Sequence, residues 1–265
     1  MTSDSTISTN PLVDTFTYRV DPFDADFKGQ LSWDVLGKRI LSAASLHADK
    51  RGFNSIVKDG TAYLWVLSRM VVEVNRWPRV GEQYSISTWV KTSYRFFSER
   101  CFALTDAQGH QVGQVLTIWA MINSLTRQPE LLDHLFEHSI SQYAAGPLTN
   151  TVERSRRLRA NSTTPLMERP TYYSDIDTNG HVNSIRYIEY LLDAFPLSHY
   201  VSHQVSRLEM DYVAESYQGD TLKLYLDPPA ADHPEGVAEM RKANANDEET
   251  VCCRCAVRFA PRHET

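Results

Sequence analysis

The sequence predicts an α+β fold made from two copies of one unit, an apolar helix followed by antiparallel strands that it covers. Three observations carry this. The segment SRMVVEVNRWPRVGEQYSI, from Ser68, runs without a gap over SRLEMDYVAESYQGDTLKL, from Ser206, an offset of 138 residues. A stretch of helix-periodic apolar residues precedes each copy, and runs of strand-like residues follow each.

The first helix starts at Ser32 as N-cap and places Leu36, Ile40, Ala43, Ala44 and His47 on one face. The second runs from Asn183 to Phe195 with Ile185, Ile188, Leu191 and Leu192 on its stripe, and Pro196 stops it. Strands are expected at Tyr84 to Val90, Phe96 to Thr105 and Gln114 to Asn123, then at Thr221 to Leu226, Gly236 to Ala243 and Thr250 to Phe259. Asp106-Ala-Gln-Gly109 is a short turn of the kind that joins such strands. Pro129 to Pro170 is polar, basic and proline-containing and reads as a connector. Its cluster Glu153-Arg-Ser-Arg-Arg-Leu-Arg159 is either a solvated face or a docking surface for an acidic partner.

Composition narrows the class. At 42% hydrophobic and 23% charged the chain is globular, and no apolar run approaches the roughly 20 residues of a membrane helix. A net charge of −6 gives no support for a nucleic-acid binder. Residues 1–12 are polar, without the basic and apolar regions of a signal peptide, so a disordered start and a cytoplasmic protein are expected. The four cysteines, Cys101, Cys252, Cys253 and Cys255, fit neither a zinc pair nor a disulfide framework and read as reduced core residues, with Cys253 and Cys255 on one strand face.

The chemistry-bearing stretch is SDIDTNGHVNSIRYIEYLLDAF, from Ser174 to Phe195. Asp175, Asp177, Asn179, His181 and Asn183 occupy every second position just before the second helix. In an extended segment they share one face, beside a helix N-terminus whose amides and dipole favour developing negative charge. A carboxylate, an amide and an imidazole at such a place suit oxyanion, hence carbonyl, chemistry. Asp175-x-Asp177-x-Asn179-Gly180 also matches the opening of a calcium loop, but the twelfth position holds Arg186 instead of the bidentate Glu such a loop needs. Asn179-Gly180 by itself signals a turn, which has no use for His181 and Asn183.

These residues carry a resemblance to the acyl-ACP thioesterases, plant and bacterial enzymes built as two fused hotdog domains. In the first half Leu64 to Glu82, Ser87-Thr-Trp-Val90 and Trp119 to Arg127 resemble the N-terminal hotdog. In the second, Tyr173-Ser-Asp-Ile-Asp-Thr-Asn-Gly-His-Val-Asn-Ser184 and Tyr212-Val-Ala-Glu-Ser-Tyr-Gln-Gly-Asp220 resemble the two catalytic segments, with Glu215 lying 34 positions after His181. The resemblance covers roughly residues 15–260. It implies two tandem hotdog domains, each a long helix packed on an antiparallel sheet. Residues 13–128 would bind the acyl chain, 129–168 would link the domains, and 169–265 would hold the catalytic residues.

The activity it implies is hydrolysis of fatty acyl-[acyl-carrier-protein] to free fatty acid, with Asp177, Asn179, His181 and Glu215 as the catalytic set. Acyl carrier protein is then the partner, with no cofactor, metal, nucleic acid or membrane, and the chain is a monomer or a homodimer. Some plant members carry a cysteine directly after the glutamate; here it is Ser216. A serine needs a strong base to become a nucleophile, whereas a thiol is already partly ionised. The expectation is therefore attack by water. Glu215 is the general base, His181 and Asn179 position the water and the thioester, and Asp177 orients the site and supports charge on His181. Amides at the start of the second helix would hold the oxyanion, and Asp175 reads as structural.

In the repeat register Trp77 takes the place of Glu215, which leaves the first half free to hold the chain with its helix and its Leu64 to Val72 strand. Each buried methylene would contribute about 0.8 kcal/mol. The alternatives are an acyl-CoA thioesterase and a non-catalytic lipid-binding hotdog protein.

Overall fold

The computed structural model describes residues 10–136, 140–146, 148–230, 234–243 and 248–262. Residues 1–9, most of the expected disordered start, lie outside them. The chain divides into two compact units. The first runs to Glu153 without Arg69–Val71, and the second holds Arg69–Val71 and everything from Arg154.

In the first unit the strands are β1 (Asp14–Arg19), β2 (Ser55–Lys58), β3 (Thr61–Val74), β4 (Gln83–Tyr94), β5 (Phe97–Asp106) and β6 (Gln111–Asn123). They lie in the order β1-β4-β5-β6-β3, with β2 on β3. Helix α1 (Trp33–Lys50) is long because its apolar residues recur at helical spacing and Ser32 caps it, accepting from the Val35 amide. It buries Leu36, Ile40, Ala43, Ala44 and His47, the face anticipated from the sequence. Arg39 of this helix donates to the Tyr84 hydroxyl of β4 and lies over the Tyr18 ring of β1, 4.6 Å from its centroid. Short turns join the long strands: the Asp106 carboxylate accepts from the amides of Gln108 and His110, closing the β5–β6 hairpin. Beyond β6 come a single helical turn, α2 (Leu132–Leu135), and a 3-10 turn at Ile140–Tyr143.

The second unit repeats the plan. Strands β7 (Met167–Pro170), β8 (His203–Tyr212), β9 (Thr221–Asp227), β10 (Glu235–Ala243) and β11 (Glu249–Pro261) lie in the order β8-β11-β10-β9-β7. Helix α3 (Ser184–Leu192) buries Ile185, Tyr187, Ile188, Tyr190 and Leu191. The Tyr212 hydroxyl of β8 donates to the Ser184 carbonyl at 3.0 Å, and the Tyr187 ring meets the Tyr212 ring edge-on at 6.1 Å. This helix is half the length of its counterpart. Pro196 disfavours helical backbone at Phe195, so the chain turns there and restarts as α4 (Leu197–Ser202).

Residues 154–160 alternate exposed arginines with buried Ser155, Leu158 and Ala160. Ser155 Oγ donates to Asp211 of β8 at 2.7 Å and Arg156 pairs with Glu235 of β10, so this basic stretch lies along the strands of the second unit. All four cysteines are free and buried, and Cys253 Sγ is 3.6 Å from Cys255 Sγ on one strand face. No helix among the described residues is long and apolar enough to cross a membrane.

Candidate active site

The segment before α3 is not extended. Tyr173–Asp175 forms a 3-10 turn, and the chain reverses at Gly180, whose φ of +81° an L side chain rarely adopts. The five alternating polar residues therefore do not converge on one point, and each finds its own use.

Asp175 turns inward. Burial would raise its pKa, but the Tyr172 amide, the Tyr190 hydroxyl and the Arg186 guanidinium hold it below the usual carboxylate value. The ion pair to Arg186 Nε is 2.9 Å long with the Asp175 side chain 2% exposed. The Arg that occupies the last ligand position of a calcium loop thus neutralises the first one. Among the described residues no group of three or more acidic, His or Cys side chains could hold a metal.

Asp177 shapes the loop. Its Oδ1 accepts from the amides of Asn179 at 2.8 Å and His181 at 3.3 Å, while its own amide donates to the His181 carbonyl. The bond to His181 is to backbone, not to the ring. Asn183 is the N-cap of α3, its side chain accepting from the Ile185 amide at 2.9 Å. The amides of Val182, Asn183, Ile185 and Arg186 are all engaged. Ser184 carries the remaining first-turn N–H, without a bond among the described residues.

His181 and Glu215 meet. The Val182 amide donates to the Ser216 carbonyl at 2.8 Å, which fastens the loop to the segment after β8. Side by side, His181 Nε2 lies 3.3 Å from Glu215 Oε2, with the two side chains 20% and 35% exposed. Asn179 is exposed at the tip of the same loop. Ser216 points the other way. It is fully buried, and its hydroxyl faces the Tyr187 hydroxyl and the Cys252 thiol.

One residue was not anticipated as part of this cluster. The Tyr217 hydroxyl donates to Glu215 Oε2 at 3.1 Å, and its ring lies edge-on to His181 at 5.1 Å. Lys242 Nζ sits over that ring at 4.9 Å and pairs with Asp220 at 2.9 Å. The Asp220 carboxylate also accepts from the Tyr217 amide, and the Tyr217 carbonyl accepts from Thr171 Oγ1. No periodic signal marked it, since Glu215 and Tyr217 lie in a segment without regular structure.

An imidazole and a carboxylate thus meet beside a helix N-terminus on a repeated helix-on-sheet unit. Comparisons with known proteins agree on the family. The model of the acyl-ACP thioesterase N-terminal domain matches residues 12–137, and that of the C-terminal domain residues 160–260. The structure of an acyl-ACP thioesterase from Bacteroides thetaiotaomicron is 38% identical, covers 98% of this chain and 100% of its own, and superposes with a TM-score of 0.83. The chain belongs to the acyl-ACP thioesterase family, and its fold is the tandem hotdog.

The 12:0-ACP thioesterase from Umbellularia californica shares that fold at 19% identity and a TM-score of 0.74, covering 95% of this chain and 98% of its own. The chloroplastic palmitoyl-acyl carrier protein thioesterase of Gossypium hirsutum is 26% identical over 76% of this chain and 51% of its own length. The oleoyl enzyme 1 of Arabidopsis thaliana is 28% identical over 66% of this chain and 53% of its own. The chain thus spans about half the length of these plant relatives.

Proposed function

We propose that this protein hydrolyses the thioester of fatty acyl-[acyl-carrier-protein], releasing the fatty acid, with Asp177, Asn179, His181 and Glu215 as the working set. The observation that carries this is the His181–Glu215 contact at the N-terminus of α3. A family likeness alone would not require it.

In this reading Glu215 removes a proton from water, which attacks the thioester carbonyl. His181 Nε2 and the Tyr217 hydroxyl hold the carboxylate from one side, so its orientation is fixed before substrate arrives. The Ser184 amide and the α3 dipole receive the oxyanion, and Asn179 positions the thioester. On collapse the C–S bond breaks, and the proton held by Glu215 passes to the departing thiolate. The products are a carboxylic acid and a free thiol, so atoms balance without a cofactor. Asp177 acts through the loop it holds together. Ser216 takes no part, since its hydroxyl is sealed in the core.

The first unit would hold the acyl chain, and the exposed arginines of residues 154–159 would meet the acidic carrier. The test is thiol release from acyl-ACP and acyl-CoA of matched chain length. Turnover of acyl-ACP well above acyl-CoA, lost in Glu215→Ala and His181→Ala, is the expected result. A preference for CoA would move the protein to nucleotide thioesters. Binding without release would leave a lipid-binding hotdog protein.

A further inference from the structure

The first unit buries a cation that the proposed reaction does not use. Arg100 of β5 is 5% exposed. Its Nη1 donates to Thr88 Oγ1 at 3.3 Å, and its guanidinium carbon lies 5.9 Å from the centre of the Phe53 ring. No carboxylate among the described residues pairs with it. Burial, reinforced by Arg51, lowers its pKa to about 9, so it is charged at neutral pH. A buried guanidinium that donates to the Thr88 hydroxyl has donors to spare for a further acceptor.

The same Phe53 ring is flanked by His47 of α1, whose ring centre is 6.1 Å away. His47 is fully buried, and Nε2 bonds the Leu12 carbonyl at 3.0 Å. Burial and then Arg100 lower its pKa to about 4, so the ring is neutral near pH 7. A carbonyl only accepts, so Nε2 carries the hydrogen and Nδ1 is a bare lone pair. That atom is buried with no hydrogen-bond partner. Beside these groups the interior is apolar, formed by Ala48, Phe53, Val90, Met121 and Leu132.

We propose that this interior binds a hydroxyl group carried on an alkyl chain. The hydroxyl oxygen accepts from Arg100, its hydrogen goes to His47 Nδ1, and the chain lies on Phe53 and Val90. A hydroxyl can accept from Arg100 and donate to Nδ1 at once, whereas an ether or a carboxylate lacks the hydrogen that Nδ1 requires. Applied to substrate, the inference rests on the thioesterase reading and names hydroxyacyl thioesters as the class this chain takes in preference to plain ones.

The test uses the full chain and no turnover. Binding of a long-chain primary alcohol is compared with that of a methyl ether of equal heavy-atom count, by calorimetry and by thermal shift. The alcohol should bind about tenfold or more tightly, as a hydrogen bond to a charged partner gives. That preference should vanish in Arg100→Met and shrink in His47→Leu. The melting temperature of each ligand-free variant reports whether it folds, and Arg100→Met should lose none, since it removes an uncompensated charge. Equal binding of alcohol and ether, no binding of either, or a preference that survives Arg100→Met would overturn the proposal. Parallel turnover of hydroxyacyl-ACP and acyl-ACP separates the two readings. Alcohol preference with no turnover of any thioester removes the enzyme reading and leaves the site standing.

Discussion

Residues 22–32, leading into α1, and residues 173–183, leading into α3, follow the same path with different chemistry. Each opens on a three-residue 3-10 turn, Pro22–Asp24 in one and Tyr173–Asp175 in the other. In each an aspartate two residues on, Asp26 or Asp177, accepts from two backbone amides ahead of it. In each a glycine, Gly29 or Gly180, turns the chain at positive φ. Ala25 bridges Leu31 as Ile176 bridges Val182. Leu31 donates to the Pro78 carbonyl as Val182 does to that of Ser216.

The side chains then part. Where the second loop has Asn179 and His181, the first has Lys28 and Gln30, and Trp77 stands in the place of Glu215. Trp77 is 5% exposed and packs edge-on against Trp33 at 4.9 Å. One scaffold therefore serves in one unit to hold a partly exposed imidazole beside a carboxylate and in the other to pack a buried indole against a half-buried one. The difference teaches that the backbone motif, including Asp177, is architecture common to both loops, and that the loops differ in the few side chains exchanged on it.

The sharpest way to break this comparison is to remove the exchanged groups. Glu215→Gln keeps shape and deletes the base, and should lower kcat by about a thousandfold, within the range for positioned acid–base groups. His181→Ala should do nearly as much. Gln30→Ala, at the matching place in the first loop, should leave kcat within about twofold, since on this reading it touches no reacting atom. A comparable loss from Gln30→Ala, measured as thiol release under saturating acyl-ACP, would show that both loops act.

Stability should divide the loops next. Both anchor their 3-10 turn to the helix by an ion pair, Asp24 to Arg39 at 2.7 Å and Asp175 to Arg186 at 2.9 Å. The acid is 22% exposed in the first and 2% exposed in the second. Arg186 keeps its pair with Glu189 when Asp175 is removed, but Asp175→Ala also takes the buried acceptor from the Tyr172 amide, so it should cost about 2 kcal/mol. Asp24→Ala should cost about 1 kcal/mol, as half-exposed pairs do. Urea midpoints at constant slope would measure both.

How much of this the sequence displayed depended on the kind of signal. Helix α1 and the long strands β4, β5, β6, β9, β10 and β11 announced themselves because their residues recur at the helical period or form unbroken β-rich runs. The edge strands β1, β2 and β7 are four to six residues long and partly polar, so nothing marked them off from loop. The repeat gave Trp77 its equivalence to Glu215, which the matching bonds at Pro78 and Ser216 display. The alternation of Asp175 to Asn183 misled, because a common face presumes extended backbone and this segment is a turn. Tyr217 stayed hidden among loop residues, since a hydroxyl that reaches two residues back leaves no period to count. Arg100 was silent, and His47 showed only its place on the apolar face of α1, because nothing in a sequence tells which buried polar atom goes unpaired.

Acid should separate the two units. His47 has its pKa lowered to about 4 from an ordinary 6.5, by burial first and Arg100 second. The unfolded chain thus binds a proton below pH 6.5 that the folded chain refuses. Its contribution is full above pH 6.5 and declines as pH falls towards 4, amounting to about 3 kcal/mol over the window. Asp175, held below its ordinary 3.8, acts in the same direction only at lower pH. Thermal melts between pH 7 and 4 should show a decline that His47→Gln removes and Asp175→Asn does not.

The smallest expected effect tests how the exchanged groups are tuned. Tyr217 donates to the same Glu215 oxygen that His181 approaches, and Tyr217→Phe deletes that donor while keeping the ring against His181. A lost hydrogen bond of this kind costs about 1 kcal/mol, so kcat should fall about five- to tenfold with KM little changed. Rate alone would not separate positioning from general loosening. The split between kcat and KM does, because Tyr217→Phe keeps the ring and deletes only the donor to Glu215, so the loss should fall on kcat alone. If KM rises as much as kcat falls, Tyr217 serves by packing against His181, and the orientation of Glu215 does not depend on its hydroxyl.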